Sequence, residues 1–185
     1  PPRVHFESKM IEFLLLLAQQ PTWLNFEKAQ LSDTFYSEGA TTADFDQDGH
    51  GDIVSGPILY FGPTFEDQVE IYEPKPFPTQ QYSNNFFAFT HDFDGDGLTD
   101  ILVVGFPGQD ASWFKNPGTR DQQHWTRLRA LDQVDNESPQ FTDLTGDGQP
   151  DLICMSGGHL GWAEFDSAHP AQKWQFHRAS KGEIG

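Results

Sequence analysis

Three acidic nonapeptides supply the side chains best suited to chemistry. They read Asp44-Phe-Asp-Gln-Asp-Gly-His-Gly-Asp52, Asp92-Phe-Asp-Gly-Asp-Gly-Leu-Thr-Asp100 and Asp143-Leu-Thr-Gly-Asp-Gly-Gln-Pro-Asp151. Each offers side-chain oxygens at positions 1, 3, 5 and 9, a glycine at position 6 and an apolar residue at position 2. Carboxylates at alternate positions of one tight turn repel each other unless a hard cation sits among them, and oxygen donors at this spacing suit Ca²⁺. The expected ligands are Asp44, Asp46, Asp48, the His50 carbonyl and Asp52; then Asp92, Asp94, Asp96, the Leu98 carbonyl and Asp100. The third set is Asp143, Thr145, Asp147, the Gln149 carbonyl and Asp151. Thr145 stands where the other loops have a carboxylate, so the third of three expected Ca²⁺ ions is expected to bind most weakly.

The loops start like an EF-hand and then depart from it. Position 12 holds Ser55, Val103 and Cys154 rather than a bidentate Glu, and the flanks have strand composition, not helical. A single loop of this kind could be a solvated acidic turn. Three in phase, with the same flanks, argue for a repeated module.

What must hold these loops is a run of short strands. After each loop comes an apolar segment ending in glycine: Ile53–Gly56, Ile101–Gly105 and Leu152–Gly157. Aromatics follow, at Tyr60 and Phe61, Trp113 and Phe114, Trp162 and Phe165; Trp125 and Trp174 then open further strand-like stretches. Each unit reads as strand, loop, strand, aromatic strand, outer strand, the size of a β-propeller blade. The expected fold is therefore all-β, with blades of four antiparallel strands. Units at about 36–82, 83–132 and 133–180 lie within a propeller region 21–185, and Trp23–Phe26 is read as an additional N-terminal outer strand. Three blades do not close a ring, so the expectation is a piece of a larger propeller rather than an open stack with exposed edges.

Composition agrees. Seventeen Phe, five Trp, 17 Gly and 13 Pro in 185 residues suit many short strands and turns. The formal charge of −17 opposes nucleic acid and anionic membranes as partners. Three divalent ions would carry six positive charges and bring it to about −11. The single cysteine, Cys154, excludes an intramolecular disulfide and lies in an apolar run that predicts burial. The apolar run Met10–Ala18 is too short to span a bilayer. With residues 1–20 it reads as a secretory-signal remnant, against which Glu12 speaks, or as an N-terminal segment of its own.

The Asp-x-Asp-x-Asp-Gly-x-x-Asp loop followed by an apolar strand resembles the FG-GAP, or VCBS, repeats of integrin-α-like propellers. Phe61-Gly-Pro63 and Gly105-Phe-Pro-Gly108 look like that family's short Phe-Gly and Gly-Ala-Pro elements. The resemblance covers about residues 36–180. It implies a seven-bladed propeller in the full protein, Ca²⁺ in loops on one face, and a secreted, periplasmic or cell-surface location. It implies no single activity.

Other chemistries find little support. The seven histidines form no ligand cluster, and His91 reads as a strand residue. No Gly-x-Ser-x-Gly, P-loop or dinucleotide motif occurs. A glycosidase carboxylate pair has no distinguished candidates once the loop aspartates are assigned. The tryptophans are expected to pack between blades rather than to stack on sugars. The expected function is non-catalytic recognition of an extracellular protein or glycan. The alternatives are the propeller portion of an exported polysaccharide-active enzyme, and a structural spacer.

Overall fold

The computed structural model describes residues 26–182. Trp23–Asn25 and the Met10–Ala18 run lie outside the described residues. The chain divides into a unit of residues 1–30 and a unit Leu31–Gly185, and among the described residues every strand belongs to the second.

That unit contains three four-stranded antiparallel sheets and no helix among the described residues. The first is β1 (Ala40–Ala43), β2 (Asp52–Ser55), β3 (Ile58–Tyr60) and β4 (Gln68–Glu70). The second is β5 (Phe87–His91), β6 (Asp100–Val104), β7 (Gln109–Lys115) and β8 (Thr126–Val134). The third is β9 (Gln140–Thr142), β10 (Asp151–Ser156), β11 (His159–Glu164) and β12 (Gln175–Arg178). Each is a meander with its strands in sequence order, as a propeller blade requires. In every blade an acidic loop joins the first two strands, and the position-9 aspartate is the first residue of the second strand. It pairs across the loop in the three registers Ala43 with Asp52, His91 with Asp100 and Thr142 with Asp151.

Strand periodicity explains how the blades stack. All five residues of β6 are buried, because both of its faces are covered. Ile101 and Val103 join Phe45, Val54, Leu59 and Phe61 of the first blade in one core, together with Phe114 and Trp125. Leu102 and Val104 point the other way, into a second core with Leu152, Cys154, Ala163 and Trp174 of the third blade. Successive side chains on opposite faces thus build two cores from one strand. Cys154 is 1% exposed, and burial pushes its thiol up to about 12, as its apolar flanks predict. Trp113, Trp125 and Trp174 are likewise buried, and Trp162 stacks on His177 at 5.1 Å.

The residues just before the outer strands also tie neighbouring blades together. Trp125 donates its backbone N–H to the Ile71 carbonyl at 2.7 Å, and Trp174 donates to Ala130 at 3.0 Å. The tryptophan side chains then cover the loop of the preceding blade. Phe45 meets Trp125 edge-on at 6.4 Å, and Phe93 lies 5.2 Å from Trp174 and 5.3 Å from Phe165.

Candidate metal centres in the acidic loops

One hydrogen-bond scheme recurs in all three loops. The position-6 glycine N–H donates to the position-1 carboxylate, from Gly49 to Asp44 (3.0 Å), Gly97 to Asp92 (2.8 Å) and Gly148 to Asp143 (3.0 Å). The position-7 N–H donates to position 5, from His50 to Asp48, Leu98 to Asp96 and Gln149 to Asp147, at 2.8–2.9 Å. The position-2 N–H donates to position 9, from Phe45 to Asp52, Phe93 to Asp100 and Leu144 to Asp151. These bonds aim carboxylates at successive N–H groups of the turn and draw position 9 beneath it. The glycines at position 6 have φ near +90°, which an L side chain rarely adopts.

Position 4 turns out to be left-handed as well. Gly95 and Gly146 have φ of 73° and 81°, and Gln47 adopts 61° in the loop that has no glycine there. Gln47 Nε2 donates to the Gly97 carbonyl at 2.7 Å, linking the first loop to the second. Glycine at this position in two of three copies was the available sequence signal for that turn.

The loops differ in which carboxylates converge. Oxygens of Asp44, Asp46 and Asp48 lie within 4.8 Å of one another, as do oxygens of Asp92, Asp94 and Asp100. Asp52 stands outside the first triad. It is fully buried, with Oδ2 accepting from Phe45 and Oδ1 accepting from Gly62, both at 2.8 Å. Asp96 stands outside the second and accepts from Lys115 at 2.7 Å. The third loop shows no such triad among the described residues, and Asp143, Thr145 and Asp147 are exposed. Its position-2 residue Leu144 is 51% exposed, where Phe45 and Phe93 are 2% and 1%.

Two cations that the sequence pattern did not single out stand on the converging carboxylates. Lys115, the last residue of β7, pairs with Asp94 and Asp96 of its own blade. Arg120 reaches from the second blade to the first loop, where it pairs with Asp46 and Asp48 and lies over the Phe61 ring at 4.7 Å. The Arg120 Nε group is the ion-pair partner of the buried Asp46 Oδ2. Asn116, 3% exposed, donates its side-chain amide to the Phe45 and Thr99 carbonyls and its backbone N–H to Asp100.

The electrostatics follow from burial and crowding. Burial pushes the Asp100 carboxyl up to about 7 against the pull of the Asn116 and Phe93 N–H donors, and Asp94 and Asp96 add repulsion. Burial also raises Asp52. On Asp96 burial acts upward too, but Lys115 and the Leu98 N–H outweigh it and hold the carboxyl below its ordinary value. Clusters of hard oxygen donors that draw in ammonium and guanidinium groups have the chemistry of a divalent-cation site. The first two loops fit one; the third offers a sparser set.

Residues 92–154, from the second loop through β9 and the third loop into β10, match the family model described as FG-GAP-like repeat. No curated protein and no solved structure matches the chain.

Proposed function

We propose that this chain, which carries an FG-GAP repeat, is a Ca²⁺-stabilised propeller segment that recognises a protein or a glycan outside the cell and has no catalytic role. The observation that carries the reading is the recurrence of one turn geometry at the same edge of three blades, with two of the turns gathering three carboxylates each. Loop 1 would hold its ion through Asp44, Asp46, Asp48, the His50 carbonyl and Asp52. Loop 2 would do so through Asp92, Asp94, Asp96, the Leu98 carbonyl and Asp100, and loop 3 through Asp143, Thr145, Asp147, the Gln149 carbonyl and Asp151. Bound Ca²⁺ would supply positive charge and fix the turns; it performs no reaction. Lys115 and Arg120 would then yield the carboxylates they hold, because a divalent ion attracts them more strongly than a partly exposed monovalent group. On this reading the three blades belong to a larger ring, seven-bladed in the full protein. Among the described residues no helix is long and apolar enough to cross a membrane.

Calorimetric titration tests the metal assignment. Ca²⁺ should bind at two stronger sites and one weaker one. Asp94→Ala should cost more total affinity than Thr145→Ala, since it removes a charged ligand from a triad. The reverse ranking would overturn the order of the sites. Glycan arrays and pull-downs in Ca²⁺ test recognition, and blank results in both would favour a spacer.

A further inference from the structure

The blade edge opposite the acidic loops carries a recess that the metal sites leave unexplained. The second and third blades are joined by residues 135–139, whereas the first and second are joined by the longer segment 71–86. That segment leaves β4 and enters β5 at the strand ends remote from the loops. It carries Pro74, Pro76 and Pro78, which restrict its backbone, and four aromatic residues, Tyr72, Phe77, Tyr82 and Phe86.

Its fold is tied down at several points. Phe77 N–H donates to the Phe35 carbonyl at 2.9 Å and Phe86 N–H to Val104 at 2.9 Å. Ser83, 2% exposed, donates its N–H to the Glu38 carboxylate, and Glu38 and Gly39 donate back to the Asn85 carbonyl. The walls are therefore preformed, which lowers the entropy lost on binding.

Two adjoining recesses share Lys75, Phe77 and Asn84 among their walls, one of about 240 Å³ and one of about 500 Å³. The larger has the volume of a small-molecule site, and the smaller extends it. In the larger, Tyr82 is 63% exposed while its ring is braced by Phe86 and Phe106, each at 5.5 Å. A fixed aromatic ring with an open surface is a stacking platform. Around it stand the amides of Gln81, Asn84 and Gln109, which both donate and accept as vicinal hydroxyls demand. In the smaller recess Asn85, 2% exposed, gives Nδ2 to the Tyr72 hydroxyl, while its buried Oδ1 has no hydrogen-bond partner.

The charge is the reverse of the chain's. With 28 acidic and 11 basic residues overall, the larger recess is lined by one cation and no carboxylate. That cation, Lys75, lies over the Phe77 ring at 5.8 Å and makes no ion pair among the described residues. Arg127 borders the smaller recess, paired to Asp110 at 2.6 Å, and Glu73 lies there too.

We infer that this groove between the first and second blades binds an acidic oligosaccharide, with a sugar ring on Tyr82 and a uronate carboxylate on Lys75. The assignment rests on the recognition reading above and names its ligand class. It is tested by titrating the Ca²⁺-loaded protein with a glucuronate–N-acetylglucosamine tetrasaccharide and with the neutral N-acetylglucosamine tetramer. The acidic sugar should bind at least tenfold more tightly. Tyr82→Ala should weaken it at least tenfold, and Lys75→Gln should abolish the preference for acid, both with unchanged melting curves. No binding of either sugar, equal binding of the two, or wild-type affinity in both variants would overturn the groove. Capture of a protein partner that Tyr82→Ala abolishes, without sugar binding, would overturn the glycan class. Protein or glycan capture that persists in Tyr82→Ala and Lys75→Gln would leave the recognition module standing while this groove falls.

Discussion

Asp100 shows how one residue can serve two structural demands. It opens β6, accepts two backbone N–H bonds and still presents an oxygen to Asp92 and Asp94. Its folded pKa of about 7 lies above the ordinary 3.8, so the protonated form is the one the metal-free fold favours. The stability it contributes is complete below about pH 4 and is lost as pH rises through 7. In EDTA, the wild type should therefore melt higher at pH 5 than at pH 7.5, and Asp100→Asn should flatten that slope. A wild-type melting point that climbs over this interval would contradict the burial argument. Lys115 and Arg120 make a second point at this scale: they occupy carboxylates that Ca²⁺ would need. Lys115→Gln and Arg120→Gln should lower the melting point in EDTA yet raise Ca²⁺ affinity by about two- to fivefold, as expected for removing a partly exposed competitor. Weaker Ca²⁺ binding in these variants would show that the cations support the sites instead.

The elements depend on one recurring contact, the apolar residue at loop position 2 against the tryptophan of the following blade. Phe93 is 1% exposed among Trp113, Trp174, Phe141 and Phe165. Phe93→Ala should destabilise the protein by about 3–5 kcal/mol. Leu144→Ala, at the equivalent but exposed position, should change stability by less than about 0.5 kcal/mol. Equal losses in a denaturant titration would refute the inter-blade role of this contact. Much at this scale was legible in the sequence. The loop period, the apolar runs after each loop and the aromatic pairs gave the four-strand order of each blade, because strand alternation and turn glycines act locally. What stayed hidden was set by tertiary neighbours. Nothing local marks Arg120 as the partner of Asp46, since the two meet only when the second blade packs on the first. Nor does the sequence say that Asp52 turns into the protein while Asp100 joins its triad. The recess beside residues 71–86 was missed for the same reason, since its walls come from two blades and the segment that joins them.

For the whole molecule, the formal charge of −17 and the crowded loop carboxylates oppose compaction unless cations answer them. Two cores, each shared between neighbouring blades, bind the three sheets, and the acidic turns lie at one end of both. Anything that binds the turns only when they are formed must stabilise the folded state. The most direct test is a pair of thermal melts, one in EDTA and one in excess Ca²⁺. Two sites filled at about a hundredfold their dissociation constants should raise the midpoint by on the order of 10 °C, with Mg²⁺ giving much less. Superimposable curves in EDTA and Ca²⁺ would contradict the claim that these loops are ion-bound turns.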